Sequence, residues 1–403
     1  MASPAAVAPA QPQLRPQWPV AALATMSVAV FLSVTTELLP TGLLPAMSRD
    51  LGVSEGRLGL LVTGFALMVA LFATPLGIAV SRVPRRGLLV ASLFGYAACN
   101  LVTALSDVYP LTVTARLIGG LTHGVFWGML GGYAGRIVSP DRVGRAVTVV
   151  SAGGAAATLV GVPIGTALGT ALGWRTAFIV FAGAAVALVA VALRLLPPVP
   201  GRTSSDRLPV LSVLRLPGLL PIVVVTAVTM LGHFSFYTYV APYLLRSGLS
   251  PVAVGPALAL YGLVGLVSLV LTGFIADRRP RLGLLAGSIA LTASFAVLTL
   301  GGTSPVVAVV GSAATALALG SLPVLLQTVI LRAAPQAPEQ ASALNASSFN
   351  VGIGGGALLG GLALDHWGAT ALPPIAATLA GLGLLTLVLS RRVGALTPAA
   401  ETP

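Results

Sequence analysis

Charged residues are scarce in this sequence, and lysine is absent from it. Asp, Glu, Lys and Arg make up 8% of the 403 residues, against about 25% in a typical soluble protein. So few charges cannot cover a water-exposed surface, which excludes a soluble globular fold. Cys99 is the only cysteine, which excludes a disulfide framework. The sequence is rich instead in apolar runs of about twenty residues, each long enough to cross a bilayer.

Hydropathy predicts an all-α membrane protein with twelve transmembrane helices. The 47 glycines and 30 prolines do not oppose this prediction, because packed membrane helices tolerate both residues. The predicted spans lie near 19–45, 56–80, 87–105, 109–135, 146–171, 176–196, 218–245, 252–276, 283–301, 305–331, 340–364 and 370–390.

The net charge of +12 is distributed unevenly between the predicted loops. With the N-terminus in the cytoplasm, only Arg49, Arg57, Arg175 and Arg246 fall on the outer side. The arginines on the cytoplasmic side are Arg15, Arg82, Arg85, Arg86, Arg136, Arg142, Arg145, Arg194, Arg202, Arg207, Arg215, Arg278, Arg279, Arg281, Arg332, Arg391 and Arg392. This asymmetry follows the positive-inside rule. It predicts a multi-pass protein of the inner (plasma) membrane with both termini cytoplasmic, partnered by lipid and not by nucleic acid.

One segment recurs at a distance of 196 residues. GIAVSRVPRRGLL (77–89) aligns without a gap on GFIADRRPRLGLL (273–285), and seven of thirteen positions are identical. Two six-helix halves in parallel orientation are a recognised plan for transporters. We therefore predict a cytoplasmic tail at 1–17, a bundle at 18–197, a linker at 198–217, a second bundle at 218–391 and a tail at 392–403.

The repeated loop and three other segments form a recognisable set. The loop matches the pattern G-x-x-x-D-R-x-x-R-R, with Ser81 in place of the Asp, at Gly77, Arg82, Arg85 and Arg86, while the second copy has Asp277 and Arg278. The other segments are TTELLPTGLLPAMSRDLGVS (35–54), RLIGGLTHGVFWG (116–128) and GVPIGTALGTALGWRTAF (161–178). With these segments in this order, the chain resembles the major facilitator superfamily over its whole length. It is most similar to the twelve-helix drug:proton antiporter branch, which contains sugar-efflux and chloramphenicol-resistance-type exporters.

The resemblance implies specific roles for some of these residues. The two repeated loops would form a latch between the halves on the cytoplasmic side, weakened in the first copy because Ser81 carries no charge. Gly161, Pro163 and Gly165 resemble a motif on the fifth helix that is typical of antiporters, and this favours export. The usual Gly-Pro is Gly-Val-Pro here.

Two charged residues lie well inside predicted spans. Glu37 precedes Pro45 at the outer end of its span by eight residues, or about 12 Å, and Arg116 follows Pro110 by six residues, or about 9 Å. The two side chains therefore lie at similar depth. Apolar burial favours the protonated acid and a neighbouring cation favours the carboxylate, so Glu37 is predicted to carry a coupling proton and Arg116 to tune it. A fixed structural ion pair is the alternative.

Histidines and aromatic residues supply further candidates. His123 shares a helical face with Arg116 and could relay protons, or could simply form a hydrogen bond in a packed interface. The 196-residue offset places His233 opposite Glu37. The predicted substrate-binding residues are His233, Phe236, Tyr237, Trp127, Gln327 and Asn350. Core packing is the alternative for each of the aromatic ones.

The sequence as a whole predicts proton-coupled efflux of a small organic molecule, such as a drug or sugar, by alternating access. The alternative is an uncoupled or sugar-specific facilitator or exporter in which Glu37 binds substrate. We expect no cofactor and no ATP drive, because there is no Gly-Lys-Ser/Thr phosphate-binding motif. Neither a metal-ligand cluster nor a nucleophile–base motif supports an enzyme. The transporter is expected to act as a monomer.

Overall fold

The computed structural model describes residues 18–139, 142–201, 210–275, 280–301, 304–335 and 337–390. Regular secondary structure in these ranges is helical. The α-helices are α1 Val20–Leu51, α2 Glu55–Ala79, α3 Arg85–Leu105, α4 Tyr109–Arg136, α5 Val143–Ala156, α6 Val162–Leu172, α7 Trp174–Leu195, α8 Val210–Leu214, α9 Leu219–Tyr237, α10 Val240–Arg246, α11 Pro251–Ile275, α12 Pro280–Gly301, α13 Pro305–Ala333, α14 Pro338–Trp367 and α15 Leu372–Leu389.

Eleven helical segments in these ranges are long and apolar enough to cross a membrane. In this set α5 and α6 form one span, which runs from Arg145 to Leu172. α4 has 28 residues and is also long enough, although Arg116 and His123 make it more polar. With α4 included, the helices agree with the predicted spans. The chain is an all-α membrane protein.

Local signals explain where the first helices end and begin. α1 continues six residues beyond its predicted end at 45 and ends at Gly52, which has a φ of 63°. Glycine adopts this left-handed conformation without a steric penalty. Ser54 caps the next helix, since its side chain accepts a hydrogen bond from the backbone N–H of Arg57.

Glycines allow the closest helix contacts inside each predicted half. A Cβ added to Gly153 of α5 would collide with the carbonyl oxygen of Ser27 in α1. In the second half, a Cβ on Gly356 of α14 would meet the carbonyl oxygen of Leu231 in α9. Small residues permit this approach of helix backbones. These glycines therefore lie on the faces of their helices that contact other helices.

The same glycine-rich helices also join the two predicted halves. α14 packs against α2, where Gly56 lies against Gly361 and Asp365, and α6 packs against α11. In the first half, α5 and α6 lie between α1 and α11. In the second half, α14 lies between α9 and α2, so the two arrangements correspond. The domain boundaries themselves stay a prediction.

The two ends of α2 differ in their surroundings. At the end that holds Ser54 and Asp365, called the Asp365 end, Leu58 and Phe65 of α2 are buried. Towards the opposite end, called the Arg85 end, Leu71 is 56% and Ile78 52% exposed. α2 is therefore packed against its neighbours at the Asp365 end and much less so at the Arg85 end.

Candidate functional site

Five polar side chains from α1, α3 and α4 meet inside the first half of the chain. This N-terminal polar cluster consists of Ser33, Glu37, Tyr96, Arg116 and His123, and all five residues are buried. Ser33 and Glu37 lie one turn apart on α1, and Arg116 and His123 lie two turns apart on α4, so each pair shares a helical face. The structure thus brings together the residues that the sequence suggested for proton coupling.

Arg116 contacts the backbone of α1. Its Nη1 donates to the carbonyl oxygen of Thr36 at 2.7 Å, and its Nη2 donates to that of Glu37 at 2.8 Å. Pro40 explains the first contact, because proline has no N–H to bond the carbonyl four residues before it. The Arg116 guanidinium carbon also lies 4.5 Å from the ring centroid of Phe65. Arg116 therefore completes the hydrogen bonding of α1 where Pro40 interrupts it.

The Glu37 carboxylate faces His123. Its Oε2 atom lies 3.6 Å from the Nε2 atom of His123. The side chain of Glu37 is only 11% exposed, so little water reaches it. The sequence suggested a direct pair between Glu37 and Arg116. In the structure the histidine occupies the position next to the carboxylate, and the guanidinium lies beside the same turn of α1.

Ser33 and Tyr96 surround the other nitrogen of His123. The Nδ1 atom lies 3.0 Å from Ser33 Oγ and 3.3 Å from Tyr96 OH, and these two hydroxyl oxygens are 2.8 Å apart. The sequence analysis missed both residues. Ser33 could have been found, since it precedes Glu37 by one helical turn. Tyr96 gave no signal, because α3 has no charged residue near it.

The second half places an aromatic group at the position that corresponds to Glu37. This C-terminal aromatic cluster consists of His233, Tyr237, Tyr261 and Phe295. His233 Nε2 lies 3.0 Å from Tyr261 OH, and the Tyr237 ring stacks on Tyr261 at 4.7 Å and on His233 at 5.5 Å between centroids. Within the described residues, His233 Nδ1 has no hydrogen-bond partner.

The substrate-binding candidates in this half are buried. His233 and Phe236 are 0% exposed and Tyr237 is 3% exposed. Phe236 packs against Phe295 and Tyr243, with centroids 5.4 and 5.0 Å apart. Contact between these residues and a substrate stays a prediction, because in this conformation other helices cover them.

Amide side chains link α9, α13 and α14. Gln327 donates to Ser342 at 2.7 Å, Asn345 donates to Gln327 at 2.8 Å, and Thr226 donates to Asn345 at 3.0 Å. Asn350 lies further along α14 and donates to the carbonyl oxygen of Ala346. Both Gln327 and Asn350 are partly exposed. Contact between either amide and a substrate stays a prediction.

Trp127 and the amide oxygen of Asn350 lie in different surroundings. Trp127 is 38% exposed, and its ring lies 5.9 Å from that of His123. It is the predicted binding residue nearest to the N-terminal polar cluster. The oxygen of the Asn350 amide is buried and has no hydrogen-bond partner among the described residues. A polar ligand could supply one.

Where the structure describes them, the residues of the predicted latch contact the first half and the start of the predicted linker. Arg85 donates to the carbonyl oxygen of Ser81, and its backbone N–H bonds Val199, while Arg86 donates to Leu193 at 3.5 Å. Arg82 lies against Gly201, and a Cβ on Gly77 would meet nothing within 4 Å. Asp277 and Arg278 lie outside the described residues, so the latch stays a prediction.

The antiporter-like motif coincides with an irregular turn. A π-helical segment, Ala157–Gly161, separates α5 from α6 and ends two residues before Pro163. Proline removes one backbone hydrogen bond, and a π turn accommodates the disturbance. A Cβ on Gly161 would collide with Thr35 of α1, and one on Gly165 with Leu39. The motif therefore lies against α1, beside the segment that carries Glu37.

Family comparison agrees with this architecture. The sequence model of the Major Facilitator Superfamily matches residues 26–352. The fold also resembles the human organic anion transporter MFSD10, with a TM-score of 0.67 at 18% identity over 94% of this chain and 100% of that one. The chain belongs to the major facilitator superfamily and has its fold. It is a multi-pass membrane transporter and not an enzyme.

Curated relatives narrow the comparison within that superfamily. A chloramphenicol efflux pump of Mycobacterium tuberculosis is 33% identical over 393 residues, which cover 92% of each chain. A probable sugar efflux transporter of Mannheimia succiniciproducens is 28% identical, over 90% of this chain and 92% of the relative. The similarity to these proteins extends over nearly the whole length of the chain.

Proposed function

We propose that this protein exports a small organic molecule across the inner (plasma) membrane in exchange for protons. Its relatives named as efflux pumps support the direction of transport. The observation that carries proton coupling is the buried contact between Glu37 and His123. A carboxylate within the membrane is costly, and those that occur usually serve transport or proton transfer.

The proposed substrate is a neutral, polar aromatic molecule such as chloramphenicol, because two relatives at 33% identity are named chloramphenicol efflux pumps. Trp127 offers an aromatic surface, and Gln327 and Asn350 offer amides for hydrogen bonds. A sugar is the second candidate, supported by the sugar efflux relatives. In that case Glu37 would contact the sugar.

The proposed orientation follows from the arginine distribution. It places the Arg85 end and both termini in the cytoplasm. Because α2 is packed at the Asp365 end and exposed towards the Arg85 end, this arrangement opens towards the cytoplasm. That is the state in which an exporter loads its substrate. The bundles 18–197 and 218–391 would then rock about the contacts of α2 with α14 and of α6 with α11, in a single chain.

The proposed cycle uses Glu37 as the proton carrier. Glu37 releases its proton to the cytoplasm and receives another when the cavity opens outwards. Arg116 and His123 stabilise the carboxylate between these events. Each proton that enters supplies about 2.3 kcal/mol per 100 mV of membrane potential. This free energy would drive substrate outwards against its gradient.

Purified protein in proteoliposomes tests the proposal. Chloramphenicol movement is measured with and without an imposed pH gradient, for the native protein and for Glu37→Gln. We expect the gradient to accelerate transport by the native protein only, while exchange at equal pH survives in the variant. Asp107→Asn is the control, since this carboxylate is 86% exposed and lies outside the cluster.

Other outcomes would contradict parts of the proposal. Gradient-driven transport by Glu37→Gln that equals that of the native protein would remove Glu37 from coupling. Native transport that is unaffected by a protonophore would indicate the uncoupled facilitator. Transport of sugars but not of chloramphenicol, with loss of sugar binding in Glu37→Gln, would indicate the sugar exporter.

A further inference from the structure

The hydrogen bonds around His123 have a preferred direction. Ser and Thr side chains within helices commonly bond a carbonyl one turn earlier, and Ser92 bonds Leu88 in this way. Ser33 differs, because its Oγ bonds Tyr96 and His123. The hydroxyl proton of Ser33 is therefore available to a side chain and not committed to its own helix.

Each proton arrangement that gives every donor among Ser33, Tyr96 and His123 an acceptor leaves His123 Nδ1 unprotonated. Either Tyr96 donates to Ser33 and Ser33 donates to Nδ1, or Ser33 donates to Tyr96 and Tyr96 donates to Nδ1, and in both cases Nε2 carries the ring proton. That proton points at Glu37 Oε2, 3.6 Å away. A proton on Nδ1 instead leaves one of the two hydroxyls without an acceptor and turns a nitrogen lone pair towards the carboxylate.

We propose that Tyr96 and Ser33 are positioning residues that hold the proton of His123 on Nε2, so that His123 donates to the Glu37 carboxylate. The inference rests on the proposed proton coupling at Glu37. A distance of 3.6 Å is longer than a hydrogen bond, and an approach of less than about 1 Å closes it. The two hydroxyls thereby set the pH at which Glu37 releases its proton.

Among the described residues, few other ionisable groups lie near the hydrogen-bonded side chains of Ser33, Tyr96 and His123. Arg116 on α4 lies close enough to interact electrostatically with Glu37 and His123, and Cys99 on α3 lies close enough to interact electrostatically with Tyr96 and Arg116. α2 contributes the ring of Phe65, 5.1 Å from that of His123 and 69° from its plane. None of these groups touches Nδ1, so the tautomer of His123 depends on Ser33 and Tyr96.

The test measures gradient-driven transport against pH in proteoliposomes. Tyr96→Phe and Ser33→Ala are combined in one protein, because either hydroxyl alone can still donate to Nδ1. The Phe ring keeps the contact with Phe126, 5.8 Å between centroids. We expect the midpoint of the pH dependence to move up by about one pH unit, the size expected for one charge-assisted hydrogen bond. Ser92→Ala removes a buried hydroxyl that takes no part in the hydrogen bonds around His123, and it should leave the midpoint of the pH dependence unchanged.

A second background separates positioning from general damage. In His123→Gln protein, the Tyr96→Phe/Ser33→Ala pair should produce no further shift, because the group through which the hydroxyls act is absent. An unchanged midpoint for the Tyr96→Phe/Ser33→Ala double variant would overturn the inference, as would an equal shift with and without His123.

If the proposed proton coupling at Glu37 is wrong, the result differs from those above. Glu37→Gln then keeps gradient-driven transport, independently of the effect of the Tyr96→Phe/Ser33→Ala pair on the pH midpoint. Exchange of substrate at equal pH shows in every variant that the protein has folded.

Discussion

The two halves of the chain carry different chemistry at corresponding positions. Glu37 corresponds to His233 at the 196-residue offset, and Arg116 corresponds to Ser312. The first half thus has an acid and a cation inside the membrane, whereas the second has an aromatic histidine and a hydroxyl. A shared helical frame accommodates either set. Under the proposed function, proton chemistry belongs to the first half and neutral contacts belong to the second.

The backbone shows the same contrast. Pro40 in the first half corresponds to Phe236 in the second. Without a proline at that position, α9 frees no carbonyl there, and Ser312 stands where the first half has the arginine that bonds one. The two differences therefore belong together. Arg116 and Pro40 act as a unit that the second half lacks.

Removal of Arg116 should have the largest effect. Arg116→Ala loses two charge-assisted hydrogen bonds, and we expect the free energy of unfolding to fall by about 3 kcal/mol, with most transport lost. The loss should be smaller in a Pro40→Ala background, where Thr36 regains an intrahelical partner. Thermal unfolding in detergent measures both. Ser312→Ala is the matched control in the second half, and an equal loss for Arg116→Ala in both backgrounds would separate Arg116 from Pro40.

Overpacking should affect both halves alike. Gly161→Leu and Gly356→Leu each force a side chain into a helix contact, which typically costs about 1–3 kcal/mol. We expect reduced thermal stability and slower transport in both variants. Gly183→Leu is the control, because a Cβ there meets nothing within 4 Å. If only one of the two variants is impaired, the equivalence of the two glycine-lined contacts is wrong.

His233→Phe should have a smaller effect, of a different kind. It removes the hydrogen bond to Tyr261, so the free energy of unfolding, followed by thermal unfolding in detergent, should fall by about 1 kcal/mol. Tyr261→Phe removes the same bond and should behave similarly. The pH dependence of transport should stay that of the native protein. A shifted pH midpoint in His233→Phe would place proton chemistry in the second half as well.

The smallest effect is expected at the contact between halves at the Asp365 end. Asp365 accepts hydrogen bonds from Ser54 Oγ at 2.6 Å and from the Gly56 N–H at 3.1 Å. Asp365→Ala should shift the equilibrium away from closure at that end by about 1 kcal/mol.

Spin labels attached to cysteines at Leu105 and Val252, both exposed at the Asp365 end, measure the separation of the halves. Cys99 is replaced first, and Asp107→Asn serves as the control. A distance distribution for Asp365→Ala that equals the native one would show that the carboxylate does not hold the halves together.

The sequence predicted the helices and the depth of the charged residues well, because both depend on distance along one helix. Eight residues from Pro45 and six from Pro110 placed Glu37 and Arg116 at the same level. The sequence did not predict which atoms of these residues are in contact. The contact of Arg116 with a carbonyl depends on the missing N–H of Pro40, and the position of His123 depends on how α4 is rotated.

Neutral residues were the hardest to foresee. Tyr96 belongs to an apolar helix in which no pattern marks its hydroxyl, and Ser33 is marked only by its place one helical turn before Glu37. His233, Phe236 and Tyr237 were recognisable as an aromatic group, but their burial depends on how α9 packs against α14 and α15. Helical periodicity defines the face of a helix and not the neighbour that covers it.

The contact between Arg116 and the Thr36 carbonyl also bears on how the protein is assembled. α1 leaves the ribosome before α4, so at first the carbonyl freed by Pro40 has no partner in the chain. An unpaired carbonyl in the bilayer costs several kcal/mol, so we expect α1 to be more stable in the membrane once α4 lies beside it. The two residues of this contact are synthesised about eighty residues apart.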